Sequence, residues 1–173
     1  MAKIKKTLGD INSPQCQKLM HLIESQNQIT LANWAIDYAT NNYLPIYQKS
    51  YNEAIMNQCL ICKKAINDKN QLKPAKEAIK QIRNLAKEFT SQPEIEASIK
   101  AIATACATIV TLSNALGFLF YGNAALAYDT LGLKATDEEY AIFSQQQLQK
   151  ALDLLKKIAI QNEKNPVKIK WNC

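Results

Sequence analysis

The sequence predicts an all-α protein: a single-domain bundle of about seven to eight helices around a charge-free central helical segment. Three observations carry this. Helix formers dominate (Ala, Lys, Gln, Leu and Ile), while chain breakers are scarce, with Gly 4 and Pro 5 in 173 residues. Apolar positions recur at spacings of three and four, and no run alternates convincingly enough to demand a sheet. The stretch AIATACATIVTLSNALGFLFYGNAALAY, Ala101 to Tyr128, contains no charged residue. A chain of this length suits one domain, residues 1–173, with a basic N-terminal extension over 1–12 and a C-terminal tail over 163–173.

The elements follow in order. Ser13 before Pro14 predicts an N-cap and first helical position, because proline lacks an N–H that the first turn leaves unpaired anyway. The helix it opens places Cys16, Leu19, Met20 and Ile23 on one face. Thr30 is the expected cap of LANWAIDYATNNY, where Leu31, Trp34, Ala35, Tyr38 and Ala39 repeat at helical spacing. Pro45 removes a donor and restricts Leu44, so that helix stops or kinks there. Asn52 is the expected opening of a helix running through Cys59 and Cys62 to about Ile66, and 67–73 is a polar connection.

Pro74 then starts PAKEAIKQIRNLAKEF. Ala75, Ile79, Ile82, Ala86 and Phe89 form one stripe of it, and Lys76, Lys80, Arg83 and Lys87 form another. Such a helix lies half buried at the surface. Ser91-Gln92-Pro93 begins the next helical region and Gly132 closes it. Thr136 with Glu139 reads as a capping box for the last helix, with Tyr140, Leu148, Ala151, Leu152, Leu155 and Ile158 as its core face. Asn165-Pro166 ends regular structure.

The charge-free stretch is long enough to cross a bilayer, which takes about 20 apolar residues. Its polar content argues for a buried core instead. Thr104, Thr108 and Thr111 fall at helical spacing, and Ser113, Asn114 and Gly117 interrupt the run where lipid offers no partner. Its alanines and Gly117 would let neighbouring helices approach closely, in a core or in a homodimer. Five cysteines without regular spacing do not form a disulfide framework, and no apolar signal segment follows the basic start. A cytoplasmic setting is the expectation, with no membrane association.

Motifs for chemistry are few. Cys59-x-x-Cys62 has zinc or redox spacing, but His21 is the single histidine and the pair sits mid-helix among apolar residues, which favours buried structural cysteines. No Gly-rich phosphate loop, G-x-S-x-G or H-E-x-x-H occurs. No metal and no cofactor is expected. Asp37 beside Tyr38 and Asp129 beside Tyr128 lie in mainly apolar helices, either partly buried and paired or on a solvated face. Net charge is +6, and Lys63 to Lys87 alone has that excess, with eight basic residues against Asp68 and Glu77. This is a possible nucleic-acid footprint, but it lacks interleaved aromatics and has seven lysines to one arginine, which weighs against that partner.

Several stretches carry a resemblance: LGDINSPQCQKLMHLIESQNQ, LANWAIDYATNNYLPIY, ASIKAIATACATIVTLSNALGFLFYGNAALAYDTLG and the ending NPVKIKWNC. They resemble the immunity-five-like bacterial family, an all-helical group associated with polymorphic toxin systems. The sequence departs from the family at SYNEAIMNQ, where members often carry an Asp-x-Arg-Pro turn, and at Thr111 and Asn114, where they tend to carry histidines. The resemblance implies a non-enzymatic immunity protein that binds and neutralises a cognate protein toxin by occlusion. A helical-bundle enzyme or small-molecule-binding protein is the alternative, with candidate pocket or binding residues Trp34, Asp37, Tyr38, Asn114, Tyr121, Asn123 and Asp129. A deep pocket containing Asp37 or Asp129 would favour that alternative.

Overall fold

The charge-free stretch does not form one helix. In the computed structural model, which describes residues 4–51 and 54–171, it breaks into two helices that pack side by side. Among the described residues the α-helices are α1 (Pro14–Glu24), α2 (Gln28–Asn42), α3 (Leu44–Gln48), α4 (Ala54–Asn67), α5 (Leu72–Ala86), α6 (Pro93–Cys106), α7 (Asn114–Leu131) and α8 (Asp137–Ile158). Short 3-10 turns occupy Lys69–Gln71, Lys87–Phe89 and Ala107–Ile109, and no strand occurs among these residues. The expected helix opening at Asn52 lies outside the described residues, as does Cys173.

Local sequence explains most boundaries. The Ser13 side chain accepts from the Cys16 N–H, and Pro14 begins α1. The cap of α2 is Asn27 rather than Thr30: its side chain accepts from the Thr30 N–H at 2.8 Å, so Thr30 sits inside the first turn. The Pro45 expectation holds, since α2 ends at Asn42 and Pro45 enters the first turn of the short α3. Helix α5 begins two residues before Pro74, which its first turn accommodates because those N–H groups lack intrahelical partners. Thr136 and Glu139 form the capping box in both directions. Ile158 is the one residue of the expected α8 core face that the structure turns to solvent, at the last position of the helix.

Helices α6 and α7 are an antiparallel hairpin at the centre. Thr104 near the end of α6 faces Gly117 near the start of α7, while Ala97 and Tyr128 share a cluster at the opposite end. Ala101, Ala103, Ala105, Ala115, Ala124, Ala125 and Ala127 are buried, and their small side chains permit the close approach. Helix α6 also packs against α2, α3, α4 and α5, while α7 meets α1, α2, α3 and α8. The hairpin turn itself reaches the surface: Val110 and Thr111 are exposed. The three threonines therefore do not share a helix face, because the helix ends at Cys106. No helix among the described residues is long and apolar enough to cross a membrane.

Both terminal segments are tied down by hydrogen bonds. In the N-terminal arm the Leu8 N–H donates to the Phe120 carbonyl at 3.0 Å and the Asn123 amide donates to the Leu8 carbonyl at 3.2 Å. The Tyr128 hydroxyl donates to the Lys5 carbonyl, and Lys5 pairs with Asp137 at the start of α8. At the other end the buried Gln26 acts as a clip. Its side chain exchanges hydrogen bonds with the Ile160 backbone, and its carbonyl accepts from the Val167 N–H at 2.8 Å. The Trp171 indole donates to Glu24.

Candidate functional site

The residues singled out by sequence separate into core and surface. Trp34 and Tyr38 point inward from α2 and pack edge-on against Phe118 of α7, with centroids 5.3 Å and 5.9 Å away. Tyr43 completes this cluster, 5.7 Å from Tyr38. Its hydroxyl is hydrogen-bonded with that of Tyr38. Burial pushes the Tyr38 phenol up to about 12 despite that bond, and holds Tyr43 well above the ordinary tyrosine range. The Trp34 indole nitrogen is buried without a hydrogen-bond partner. Asn123 is buried, and its amide is committed to the N-terminal arm. Tyr121 and Asn114 are half-buried on α7.

Both aspartates lie at the surface, each held by a lysine. Asp37 accepts from Lys63 of α4 at 2.5 Å, and Asp129 accepts from Lys49 through both oxygens at 2.6 and 2.7 Å. Four cavities of about 190 to 560 Å³ lie along the described surface. Trp34, Asp37, Tyr38, Asn114, Tyr121, Asn123 and Asp129 line none of these four. The largest belongs to the clip between the α1–α2 turn and the C-terminal tail, around Gln26, Ile160 and Glu163. The one at about 310 Å³ is an apolar groove between α4 and α5, floored by Ile55, Ile82 and Leu85 and bridged by the Gln58–Gln81 hydrogen bond.

The basic stripe is where spacing placed it. Lys76, Lys80, Arg83 and Lys87 are all exposed, on the side of α5 opposite the buried Ala75, Ala78, Ile79, Ile82 and Ala86. Lys64, Lys69 and Lys73 extend the positive surface around the α4–α5 connection. Among the described residues the ion pairs involve Lys5, Lys49, Lys63 and Lys100, so the α5 stripe has no carboxylate within pairing distance. Lys87 donates instead to Asn84. The face is therefore predominantly positive, with Glu77 as the one carboxylate within α5.

The cysteine pair acquires a third member that spacing did not reveal. Cys106, the last residue of α6, lies with its Sγ 4.0 Å from the Cys59 Sγ, and its thiol is also hydrogen-bonded with Cys62. Contacts with Cys59 and Cys62, together with burial, hold the Cys106 thiol well above its ordinary range, while the bond from Cys106 lowers Cys62. Cys62 also donates to the Ala75 carbonyl at 3.8 Å. Among the described residues no group of three or more His, Cys, Asp or Glu is arranged to hold a metal ion. His21 is exposed in the last turn of α1.

The helical core is filled, and the exposed side of α5 is predominantly basic. Residues 21–156 match the family model described as "Imm-5 like putative immunity protein", and the chain belongs to that family. No curated protein and no solved structure is significantly similar to it.

Proposed function

We propose that the chain neutralises a cognate bacterial toxin by binding it directly, in the cytoplasm of the producing cell, without catalysis. Family membership over residues 21–156 is the observation that carries this reading. The α5 face bearing Lys76, Lys80, Arg83 and Lys87 is the proposed contact, and an acidic region of the toxin its counterpart. Charges of one sign with no internal partner are available to a partner, and complementarity of this kind mainly raises the association rate and selects against wrong partners. A positive face is unsuited to mimicking a nucleic acid, so the toxin's own protein surface is what it would cover. Helices α4 and α6, on which α5 packs, would serve as the rigid support behind that face, keeping the ordering cost of association low.

The test is co-expression with the toxin encoded by the neighbouring reading frame. Survival of the cells and co-purification of the two chains are expected. Death of cells that contain the folded chain would overturn the reading.

A further inference from the structure

We propose that Cys59 and Cys106 form a peroxide-sensitive dithiol site that closes to a disulfide joining α4 to the end of α6. The two sulfurs belong to different helices, far apart in sequence, yet lie 4.0 Å from each other in a region closed to bulk solvent. A disulfide needs about 2.05 Å between sulfurs, so closure asks for roughly 2 Å of combined side-chain rotation and backbone shift. Cys106 is well placed to give way. It is the final residue of α6, and the chain tightens into a 3-10 turn immediately after it, at Ala107–Ile109. Cys62 is held differently, with its thiol donating to the Ala75 carbonyl of α5.

The groove between α4 and α5 is floored by Ile55, and Cys59 lies one helical turn further along α4. The oxidant proposed is hydrogen peroxide. The Cys106 thiol donates toward Cys59, which leaves the two sulfurs facing each other. The Cys59 sulfur attacks one peroxide oxygen; an S–O bond forms, the O–O bond breaks, and the departing hydroxide takes the Cys59 proton to leave as water. The Cys106 sulfur then attacks the resulting sulfenic acid. The S–S bond forms, the S–O bond breaks, and the leaving hydroxide takes the Cys106 proton as a second water. Two thiols are oxidised to one disulfide and one peroxide is reduced to two waters.

The closed loop would enclose all of α5, fixing α4, α5 and α6 as one unit. This chemistry stands whether or not the chain binds a toxin.

The experiment treats the folded full-length chain with hydrogen peroxide, alkylates remaining thiols under denaturing conditions, and maps the peptides. Expected are the loss of two alkylatable thiols, a cross-linked peptide joining Cys59 to Cys106, a rise in Tm, and reversal of all three by dithiothreitol. The cross-link is expected to vanish in Cys106→Ala and Cys59→Ala. If either variant fails to fold, the wild-type map decides alone. Recovery of Cys59 and Cys106 as alkylated thiols, as sulfinic or sulfonic acids, or cross-linked to other cysteines would overturn the proposal.

Discussion

Gly122 of α7 lies directly against the ring of Tyr43: a Cβ built at Gly122 would stand 1.9 Å from the Tyr43 Cζ. Real Cβ atoms do not approach that closely, and Tyr43 is fully buried with no room to swing away. The glycine in the Tyr121-Gly122 pair is thus a packing requirement of the aromatic core. Gly122→Ala is expected to cost about 2 kcal/mol or more, as overpacking of a filled core does. Gly117, one and a half turns earlier, is the control. Its nearest neighbour would be the Thr104 Cγ2 at 3.8 Å, an ordinary contact, so Gly117→Ala is expected to be neutral or to stabilise by roughly 0.5–1 kcal/mol. Urea denaturation of the two variants measures the difference.

The buried tyrosines give an alkaline signature. Tyr38 is raised to about 12 and Tyr43 is held well above the ordinary tyrosine value, both chiefly by burial. In the unfolded chain both ionise near 10. The folded state resists losing those protons, so the tyrosine contribution is level below that pH and declines as pH rises from about 10 towards 12. Tyr43→Phe should weaken this decline. Urea midpoints measured across that range for both proteins supply the check; an unchanged slope would contradict the assignment.

The capping box gives the opposite, acid-side signature. The backbone N–H and then the hydroxyl of Thr136 hold the Glu139 carboxyl below its usual range. A lowered folded value means the contribution is fully present above the unfolded value and is lost as pH falls through the folded one. Glu139→Ala, which removes the carboxylate that accepts both bonds, is therefore expected to destabilise the protein at neutral pH and to matter less in acid. Thermal melts at both pH values test it, and an equal penalty at the two would count against the box.

Reversing the charge of the α5 stripe separates fold from contact. Lys76→Glu, Lys80→Glu and Arg83→Glu change exposed residues without ion-pair partners, so together they should alter stability by less than about 1 kcal/mol. If α5 is the contact, the same triple variant should associate with the toxin at least about tenfold more slowly, and the wild-type rate should fall with salt. Stopped-flow association at two ionic strengths reads both effects.

Much of the fold was legible because it rests on local rules. The Ser13-Pro14 start, the Thr136–Glu139 box, the Gly132 stop and the two stripes of α5 each follow from residues within a few positions of one another. What spacing could not supply was tertiary pairing. The break after Cys106 has no proline or glycine to announce it. The Cys59–Cys106 contact and the seating of Tyr43 against Gly122 depend on how α6 and α7 lie beside α2, α3 and α4. The candidate residues on α2 illustrate the same limit. Trp34 and Tyr38 lie one turn apart on the inner face, while Asp37, adjacent in sequence, points outward to Lys63.

The most direct measurement of the central claim is a titration of the toxin's activity with the purified chain. Stoichiometric occlusion predicts a linear fall in activity that ends at equimolar chain, at once and without further change with time. Complete, time-dependent inactivation by a small fraction of an equivalent would show turnover instead, and would contradict the account.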